Sequence, residues 1–408
     1  MMTFKNNKKL QMKEVRYVLI VTKEFQSEFQ SNSGGTGVFY QNLAESLIKK
    51  GIKVSVFGSS KKAFEQKDEN FSLLFVKDYF KKNKLAELLR SVTGKISFLQ
   101  NLHYKIYDWE IEYLQKELTK FIKNKEIDVI ETHDWEGMSR ITENLKIPYI
   151  IRCHGSWSVL HKFFGYGASK GKIYNEKKAF EKADYIITIS ESNENIVRQV
   201  FGSKNYHLIY NGIDTDFFRP QQNIPVKPKS IFYIGNVSVE KGAQTALDAF
   251  IKINQSESAA SLHFIGRETE ISEKLKEKIK QNNLHNKVVF HGRKDKNQVI
   301  KLLSEAEALI FPSKGETFGL ALTEAMALEK PVVCSDLEVF REIVKDGKNG
   351  LIAKSEDDFA EKIIKIFSDQ PFAQYLSQNA RKTIVEKFSL EKMLEETVSY
   401  YTEIINKE

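Results

Sequence analysis

Two glutamates, Glu316 and Glu324, frame the part of this chain that is best suited to bind a ligand. An apolar run that ends at Phe311 predicts a buried strand, a loop of small residues follows it, and strong helix formers begin near Phe318. This order leaves three backbone N–H groups free at the start of the helix, those of Phe318, Gly319 and Leu320. Free amides and the positive end of a helix dipole attract an anion such as a phosphate, and Gly319, which has no Cβ, lets a ligand approach the backbone.

The two carboxylates are suited to hydroxyl groups rather than to the phosphate itself, because like charges repel. Hydroxyls of a sugar and of a ribose are natural hydrogen-bond donors to Glu316 and Glu324. Either glutamate alone is explained better as an ordinary loop or surface residue. The pair around the Phe-Gly-Leu segment, followed by Ala-Met-Ala-Leu, makes a functional site the favoured interpretation.

This segment resembles the E-x7-E motif of retaining nucleotide-sugar glycosyltransferases in glycosyltransferase family 4 (glycosyl transferases group 1). That family includes sucrose synthase and many bacterial mannosyl- and glucosyltransferases. The resemblance implies that Glu316 contacts the donor sugar and that Glu324 binds the ribose. It also implies the α/β fold called GT-B, in which two Rossmann-like domains face each other across a cleft and the last helix crosses back to the first domain.

Composition places the chain among ordinary globular proteins and excludes several classes. Of its 408 residues, 41% are hydrophobic and 28% are charged, and no stretch is apolar for long enough to span a membrane. The basic start, residues 1–14, has no apolar core behind it and therefore does not predict a signal peptide. Two cysteines, Cys153 and Cys334, are too few for a disulfide framework, so we expect a reducing, cytoplasmic setting.

The net charge of +8 fits nucleic acid, anionic lipid or a phosphorylated ligand as a partner. Because the basic residues are spread along the chain and no nucleic-acid-binding motif is present, nucleic acid is not the expected partner. Residues 77–95 nevertheless hold six basic side chains, and apolar residues from Ile96 to Tyr113 recur at helical spacing. We favour a core-facing helix with a solvated basic face over a peripheral contact with the inner face of an anionic membrane, and the second alternative stays open.

A glycine-rich turn follows the first predicted strand. The strand is predicted over residues 15–21 and a helix over residues 38–50, which is the order of a mononucleotide-binding unit. A dinucleotide fingerprint is excluded because Tyr40 occupies the third glycine position, and no Gly-Lys-Ser/Thr of a P-loop follows. In the family that the chain resembles, a Gly-Gly loop at this point lies against the donor phosphates, which implies that role for Gly34 and Gly35.

Polar residues follow two further buried strands of the first half. His133 and Asp134 follow the strand predicted over residues 127–131, and His154 follows the one predicted over residues 148–153. The carboxyl ends of parallel strands form the usual ligand edge of such sheets. A lone histidine is more often structural, and the histidine spacings match no zinc site. The resemblance implies that His154 faces the donor sugar, while the His133-Asp134 pair matches a segment of glycogen-synthase-like relatives more loosely.

A second α/β unit carries the predicted phosphate site. Lys241, in a loop between Gly235 and Gly242, matches the phosphate-binding lysine of the family's G-R-x4-K-G motif. The arginine of that motif is Asn236 in this chain, and an asparagine supplies neither the charge nor the bidentate geometry of an arginine. We expect a nearby arginine to compensate. The candidates, in order of preference, are Arg293 and Arg267.

Asp214 and Asp216 spell the D-x-D metal motif of a different glycosyltransferase fold. We reject that interpretation, because the Asn-Gly-Ile-Asp segment with a later phenylalanine matches the hinge side of the family that the chain resembles. Neither a metal nor a cofactor is therefore expected, since the nucleotide-sugar itself is a substrate.

Residues 219–229 hold three of the seven prolines and few large apolar residues, which is typical of an interdomain linker. We therefore predict an N-terminal Rossmann-like, acceptor-side domain over residues 1–218 and a nucleotide-sugar-binding domain over residues 230–388. A C-terminal helix over residues 389–408 is predicted to pack toward the first domain.

The sequence thus predicts a metal-independent, retaining hexosyltransferase with His154, Lys241 and Glu316 as catalytic residues. A UDP-sugar is the favoured donor and GDP-mannose the alternative. The acceptor is an unknown glycan, lipid-linked or small-molecule hydroxyl, and the resemblance implies surface polysaccharide or glycolipid synthesis. Two other classes stay open: a nucleotide-sugar epimerase or phosphorylase of the same fold, and a non-catalytic basic binding protein.

Overall fold

The computed structural model describes residues 12–28 and 34–407. The chain forms two compact units, each with its own sheet. The first unit contains the residues up to Thr188, then Glu194–Ile209, and the segment from Leu394 onward. The second contains Ile189–Asn193 and Tyr210–Met393. The chain therefore returns to the first unit after it has completed the second.

The sheet of the first unit has eight strands in the described part of the chain. They are β1 (Tyr17–Val21), β2 (Lys53–Ser60), β3 (Phe64–Lys67), β4 (Phe71–Lys77), β5 (Val129–His133), β6 (Tyr149–Cys153), β7 (Tyr185–Thr188) and β8 (Tyr206–Leu208). Their order is β3-β4-β2-β1-β5-β6-β7-β8, and every neighbouring pair is parallel except β3 with β4. The central strands are almost wholly buried, as a parallel sheet covered on both faces requires.

Within the described residues, seven helices alternate with or connect these strands along the chain. They are α1 (Gly35–Lys49), α2 (Tyr79–Lys82), α3 (Lys84–Thr93), α4 (Gln100–Ile122), α5 (Trp157–Phe164), α6 (Lys170–Lys182) and α7 (Glu191–Phe201). Short 3-10 segments occupy Ser97–Leu99 and Trp135–Thr142. The end of α1 shows how local sequence sets a boundary. Gly51 has φ +81° and its N–H donates to the Ile48 carbonyl over 2.9 Å, and the helix ends at Lys49, one residue before the predicted end.

The second unit contains a parallel sheet of six strands among the residues described. They are β9 (Ser230–Ile234), β10 (Ser261–Ile265), β11 (Val288–Phe290), β12 (Ala308–Phe311), β13 (Val332–Ser335) and β14 (Leu351–Ala353), in the order β11-β10-β9-β12-β13-β14. Its helices and the C-terminal helix are α8 (Ala243–Ser256), α9 (Ile271–Gln281), α10 (Lys296–Glu305), α11 (Leu320–Ala327), α12 (Glu338–Ile343), α13 (Glu356–Ser368), α14 (Gln370–Lys387) and α15 (Leu390–Ile405). Alternate residues of β9 enter two separate apolar cores, Tyr233 on one face and Phe232 on the other.

Residues 210–218 belong to the second unit, whereas the sequence predicted that the first domain would run to residue 218. The reason is a set of long-range hydrogen bonds. The Ile213 N–H donates to the Phe388 carbonyl over 2.8 Å, and the guanidinium of Arg381 donates to the carbonyls of Thr215 and Phe218 over 2.9 and 2.7 Å. These bonds join the segment to the end of α14 before the proline-containing linker begins.

A fully buried ion pair lies within the first unit. Arg152 on β6 donates from Nε to Glu131 on β5 over 2.7 Å and from a second guanidinium nitrogen over 3.0 Å. Two residues of the returning C-terminal segment complete the network. Thr397 accepts from Arg152 over 3.1 Å, and the Tyr401 hydroxyl donates to Glu131. The segment from Leu394 onward is therefore bonded into the core of the first unit.

The apolar stripe predicted between Ile96 and Tyr113 is only partly core-facing. Ile106 on α4 is fully buried, but Leu102 and Trp109 are 36% and 38% exposed. Periodicity identified the helix correctly and overstated how much of the stripe is covered. None of the helices in the described part of the chain is both long and apolar enough to cross a membrane.

Candidate functional site

The loops that carry Lys241 and Glu316 leave neighbouring strands of the second unit. β9 and β12 pair in parallel, so both loops emerge at the carboxyl edge of the sheet. The backbone also joins the loops, because the Lys314 N–H donates to the Glu240 carbonyl over 2.8 Å. The two residues are thus brought together by strand order, although 75 positions separate them in the chain.

Gly242 sets the distance between these loops. It precedes α8 with φ +69°, and a Cβ at this position would lie 1.9 Å from the carbonyl oxygen of Pro312. Only glycine fits both the left-handed conformation and the space. The loop at residues 235–242 therefore lies directly against the loop that starts at Pro312.

Lys241 and Glu316 form an ion pair across these loops. Nζ of Lys241 is 2.6 Å from Oε1 of Glu316, and the Ser313 hydroxyl donates to the same oxygen over 3.0 Å. The Lys241 side chain is 37% exposed and that of Glu316 is 17% exposed. The site therefore holds an accessible cation beside a carboxylate whose position is fixed by two donors.

The start of α11 offers backbone donors next to this pair. Gly319 precedes the helix with φ +99°, and Phe318 is buried near Tyr210 and Phe388, with ring centroids 6.4 and 6.0 Å away. Within residues 12–28 and 34–407, the N–H groups of Phe318, Gly319 and Leu320 have no acceptor. Three free N–H groups at the positive end of a helix suit an anion.

Glu324 lies one turn into α11. The residue keeps some exposure to solvent, and its carboxylate accepts no hydrogen bond from any other described residue. Desolvation of the carboxyl group raises its pKa from 4.5 to about 7, although attraction to Lys296 acts in the opposite direction. Glu324 therefore has unused acceptor capacity that ligand hydroxyls can satisfy.

The turn after β9 contains Asn236 where the motif has an arginine. Arg267 follows the adjacent strand β10, and its carbonyl accepts from the Val237 N–H over 2.9 Å. Arg293 follows β11, which is one strand further out in the sheet. Both arginines are exposed. Strand order thus places Arg267 beside the Asn236 turn, whereas the sequence favoured Arg293.

In the first unit, Gly34 caps α1 and Gly35 is its first residue, so the helix begins three residues before the predicted start at Val38. Gly34 caps the helix and its N–H donates to Oε2 of Glu24 over 3.2 Å. A Cβ on Gly34 would lie 2.8 Å from that oxygen. Burial raises the pKa of Glu24, and hydrogen bonds from the Gly34 and Gly37 amides oppose the rise. The glycine turn is therefore paired with a carboxylate that sequence reasoning missed.

His154 follows β6 in the first unit. Its ring packs against Phe39 and Tyr40, with centroids 4.4 and 5.7 Å away. Burial lowers the pKa of His154 well below its usual value, and the charge of Arg152 acts in the same direction. Its Nε2 atom is buried and has no hydrogen-bond partner in the part of the chain that the structure describes. A neutral imidazole nitrogen is thus left for a further partner.

Asp134 holds the turn that contains His154. Its Oδ1 accepts from the His154 N–H over 3.0 Å and its Oδ2 from the Gly155 N–H over 3.1 Å. Burial raises the pKa of Asp134 to about 7, and repulsion from Glu176 adds to the rise. The signal that connects Asp134 to His154 is the parallel pairing of β5 with β6, since both residues directly follow these strands.

The first aspartate of the D-x-D sequence, Asp214, has a local structural role. Oδ1 of Asp214 accepts from the N–H groups of Asp216 and Phe217 over 3.1 and 2.9 Å, so it caps a turn. No group of three or more His, Cys, Asp or Glu side chains that could hold a metal occurs among residues 12–28 and 34–407.

Two family models together match most of the chain. Residues 33–217 match the model described as Glycosyltransferase Family 4, and residues 214–383 match the model described as Glycosyl transferases group 1. The chain belongs to this glycosyltransferase family. It is an enzyme that transfers glycosyl groups, as the sequence predicted.

Individual relatives agree with the family models. An uncharacterized glycosyltransferase of Methanocaldococcus jannaschii is 28% identical over an alignment of 302 residues, which covers 67% of this chain and 75% of the relative. Sucrose-phosphate synthase from Thermosynechococcus elongatus has a TM-score of 0.74 at 18% identity, covering 96% of this chain and 100% of the other. Anabaena Alr3699/HepE in complex with UDP and glucose has a TM-score of 0.68 at 15% identity, covering 94% and 98%. These structures confirm the predicted GT-B fold with two parallel-sheet domains.

Proposed function

We propose that this glycosyltransferase takes its sugar from a nucleotide-sugar, works without a metal and retains the configuration at the anomeric carbon. A UDP-sugar is the proposed donor, with GDP-mannose as the alternative. The proposed acceptor is a hydroxyl of a surface polysaccharide or glycolipid in synthesis. The proposed catalytic residues are His154, Lys241 and Glu316.

The observation that carries the proposal is the meeting of Lys241, Glu316 and the free amides of α11 at one edge of the second sheet. The ammonium and the amides suit the donor diphosphate. The carboxylates of Glu316 and Glu324 suit hydroxyls of the sugar and the ribose. In this structure Glu316 neutralises Lys241, so the donor phosphate competes with Glu316 for the ammonium when it binds.

The proposed chemistry depends on charge that develops on the leaving group. As the bond between the anomeric carbon and the phosphate oxygen breaks, negative charge grows on the diphosphate. Lys241 and the amides at Phe318 to Leu320 stabilise that charge. The acceptor oxygen attacks from the face that the leaving group occupies, and its proton passes to the leaving phosphate. This sequence retains the configuration and needs no protein base.

A fold relative supports the choice of nucleotide. The Anabaena Alr3699/HepE structure contains UDP and glucose. Its identity to this chain is 15%, so uracil as the base is part of the proposal. In the first unit, Nε2 of the neutral His154 ring has no hydrogen-bond partner among the described residues, and such an atom can donate to or accept from a hydroxyl group.

A donor panel tests the proposal. Purified protein is incubated with UDP- and GDP-sugars, with and without EDTA, and free nucleoside diphosphate is measured. We expect release from one donor, no inhibition by EDTA and stimulation by an acceptor, with a product that keeps the anomeric configuration by NMR. An inverted product would refute retention. Inhibition by EDTA that manganese reverses would refute metal independence, and donor conversion without an acceptor would indicate an epimerase.

A further inference from the structure

Helix α3 presents an apolar stripe to solvent. Leu85, Leu88 and Val92 lie at spacing i, i+3 and i+7 and are 66%, 61% and 45% exposed. Phe98, in the 3-10 turn that follows, is 86% exposed. Large apolar residues scattered singly on a surface need no explanation, but a stripe of three on one short helix followed by an exposed phenylalanine does.

The other side of α3 is packed and capped, so the exposed stripe is held in a fixed orientation. Ala86 is buried with Phe80 and Ile106, and Leu89 packs against the same cluster. The Asn83 side chain caps the helix by accepting from the Ala86 N–H over 3.1 Å. The apolar side chains are therefore presented by a helix with an inner packed face.

The segment that carries this stripe is strongly basic. Residues 81–105 contain six basic residues and one acidic residue, a difference of +5. The basic residues are Lys81, Lys82, Lys84, Arg90, Lys95 and Lys105. The acidic residue, Glu87, binds Lys81 and Lys84 at 2.7 and 3.4 Å. One carboxylate cannot neutralise the segment, and its excess positive charge faces water together with the stripe.

The combination of charge and apolar surface distinguishes between partners. A second copy of the chain would bring the same +5 segment against itself, which like charges oppose. A nucleic acid would neutralise the lysines but leave the leucines without an apolar partner. An anionic bilayer satisfies both features, because its headgroups attract the cations and its acyl boundary accepts the apolar side chains.

We infer that residues 81–105 form a face that binds the surface of an anionic lipid bilayer. Leu85, Leu88 and Phe98 enter the boundary between the headgroups and the acyl chains, while the surrounding lysines contact the headgroups. The contact is peripheral, and it brings the enzyme to a surface where lipid-linked acceptors are available. The inference concerns a surface outside the candidate site and does not depend on the donor or on the mechanism.

Vesicle flotation tests this inference with the full-length protein. We expect binding to vesicles of phosphatidylcholine mixed with phosphatidylglycerol, little binding to phosphatidylcholine alone, and weaker binding as salt is raised. Leu85→Ser with Leu88→Ser should weaken binding about tenfold or more, because two leucines leave the acyl boundary. The matched control is Tyr375→Ser with Val385→Ser, residues of the second unit that are 51% and 43% exposed, and it should bind like the unmodified protein.

Several outcomes would overturn the inference. The unmodified protein could fail to bind anionic vesicles, or the Leu85 and Leu88 changes could leave binding intact. Loss of vesicle binding in the Tyr375 and Val385 control that equals the loss in the leucine variant would also overturn it. Self-association by sedimentation that the leucine changes abolish, without vesicle binding, would assign the stripe to a second copy. Circular dichroism verifies that the variants fold. Because the assay contains no donor, its failure leaves the proposed transfer reaction untouched.

Discussion

At the scale of the residue, Lys241 is the side chain on which the proposed reaction depends most. We predict that Lys241→Ala lowers turnover on the order of a hundredfold or more, because it removes a main stabiliser of the leaving diphosphate. Donor affinity should fall less, since the diphosphate gains charge only as the sugar leaves. Steady-state kinetics with the identified donor separates the two effects. Lys314→Ala, an exposed lysine of the neighbouring loop, is the matched control and should stay close to normal.

Normal turnover in Lys241→Ala would show that another group stabilises the diphosphate. In that case the loss should appear in an arginine variant of the same sheet edge instead. A loss of turnover in the Lys314→Ala control would indicate that changing either lysine disturbs the structure of the loops, so the effect could not be assigned to the chemistry of Lys241.

Glu324 is predicted to make nucleotide binding depend on pH. Its pKa is raised to about 7, so the carboxyl group loses its proton near neutrality. The ionised form accepts ribose hydrogen bonds better than the protonated form, and UDP affinity should therefore rise about tenfold between pH 6 and pH 8. Calorimetric titration measures this change in UDP affinity.

The same raised pKa means that the folded protein holds the Glu324 proton more tightly than the unfolded chain does. The contribution of Glu324 to the free energy of unfolding therefore falls as the pH rises from 4.5 to about 7.

Glu324→Gln separates this effect from the titration of the nucleotide itself. Glutamine does not ionise, so the pH dependence that remains in this variant comes from the phosphate of UDP and from the other titrating groups of the protein. We also expect the variant to bind more weakly at pH 8, by about 1–3 kcal/mol for a lost charged hydrogen-bond acceptor. If UDP affinity and its dependence on pH were the same in the unmodified protein and in Glu324→Gln, Glu324 would not belong to the nucleotide site.

At the scale of the element, the contact between the two loops depends on Gly242. Gly242→Ala should lower the free energy of unfolding by about 3 kcal/mol or more, because it combines a left-handed backbone with a clash against Pro312. Gly347→Ala is the control, since Gly347 has φ +72° and a Cβ there would meet nothing within 4 Å, and it should cost only about 1 kcal/mol. Calorimetric melting compares the two. Similar losses of unfolding free energy in the two variants would show that backbone strain, and not the contact with Pro312, accounts for the effect of Gly242→Ala.

Strand order makes a prediction about the missing arginine. Arg267 follows the strand next to β9, and Arg293 follows the strand beyond it. We therefore expect Arg267→Ala to reduce turnover more than Arg293→Ala, about tenfold for loss of a supporting cation. Asn236→Arg should be tolerated and should restore activity to the Arg267→Ala protein. The reverse ranking in the same kinetic assay would favour Arg293, as the sequence did.

Local patterns predicted most elements of this fold. The apolar runs at β1 and β12 and the strong helix formers of α11 were sufficient, because burial and helix formation follow from neighbouring residues. The stripe on α4 was less predictable. Periodicity shows that Leu102 and Ile106 belong to one helix, but it does not show how far the neighbouring chain extends over that face.

The contacts that escaped prediction lie in the first unit and join residues that are not neighbours in the sequence. Examples are the Glu24 carboxylate at the Gly34 amide and the Asp134 carboxylate at the His154 turn. The Asp134 contact is set by the pairing of β5 with β6, and strand order is not encoded in local spacing. Glu24 and Gly34 are ten positions apart and both lie between β1 and α1, so no periodic pattern links them. The roles carried over from the family, including those of His154 and Glu316, stay predictions.

At the scale of the whole molecule, the first unit depends on its buried ion pair. Arg152→Met should destabilise that unit by about 3–5 kcal/mol, because it leaves the Glu131 carboxylate buried without its partner. Arg152→Met with Glu131→Leu should cost less than the single change, since no charge is then left behind. Calorimetry of both variants measures the difference. The control is Lys178→Met, which breaks an exposed pair with Glu181 and should leave the melting profile unchanged.

The network around Arg152 also has a consequence for synthesis. Thr397 accepts from Arg152, although it is added 245 residues later. A ribosome that adds roughly 5–20 residues per second needs roughly ten to fifty seconds to make the residues between them. During that interval the nascent first unit lacks two partners of its most buried charges, while the whole second unit emerges and folds. The domain that begins folding first is therefore the last to be completed, and its unfinished core is accessible to chaperones until translation ends.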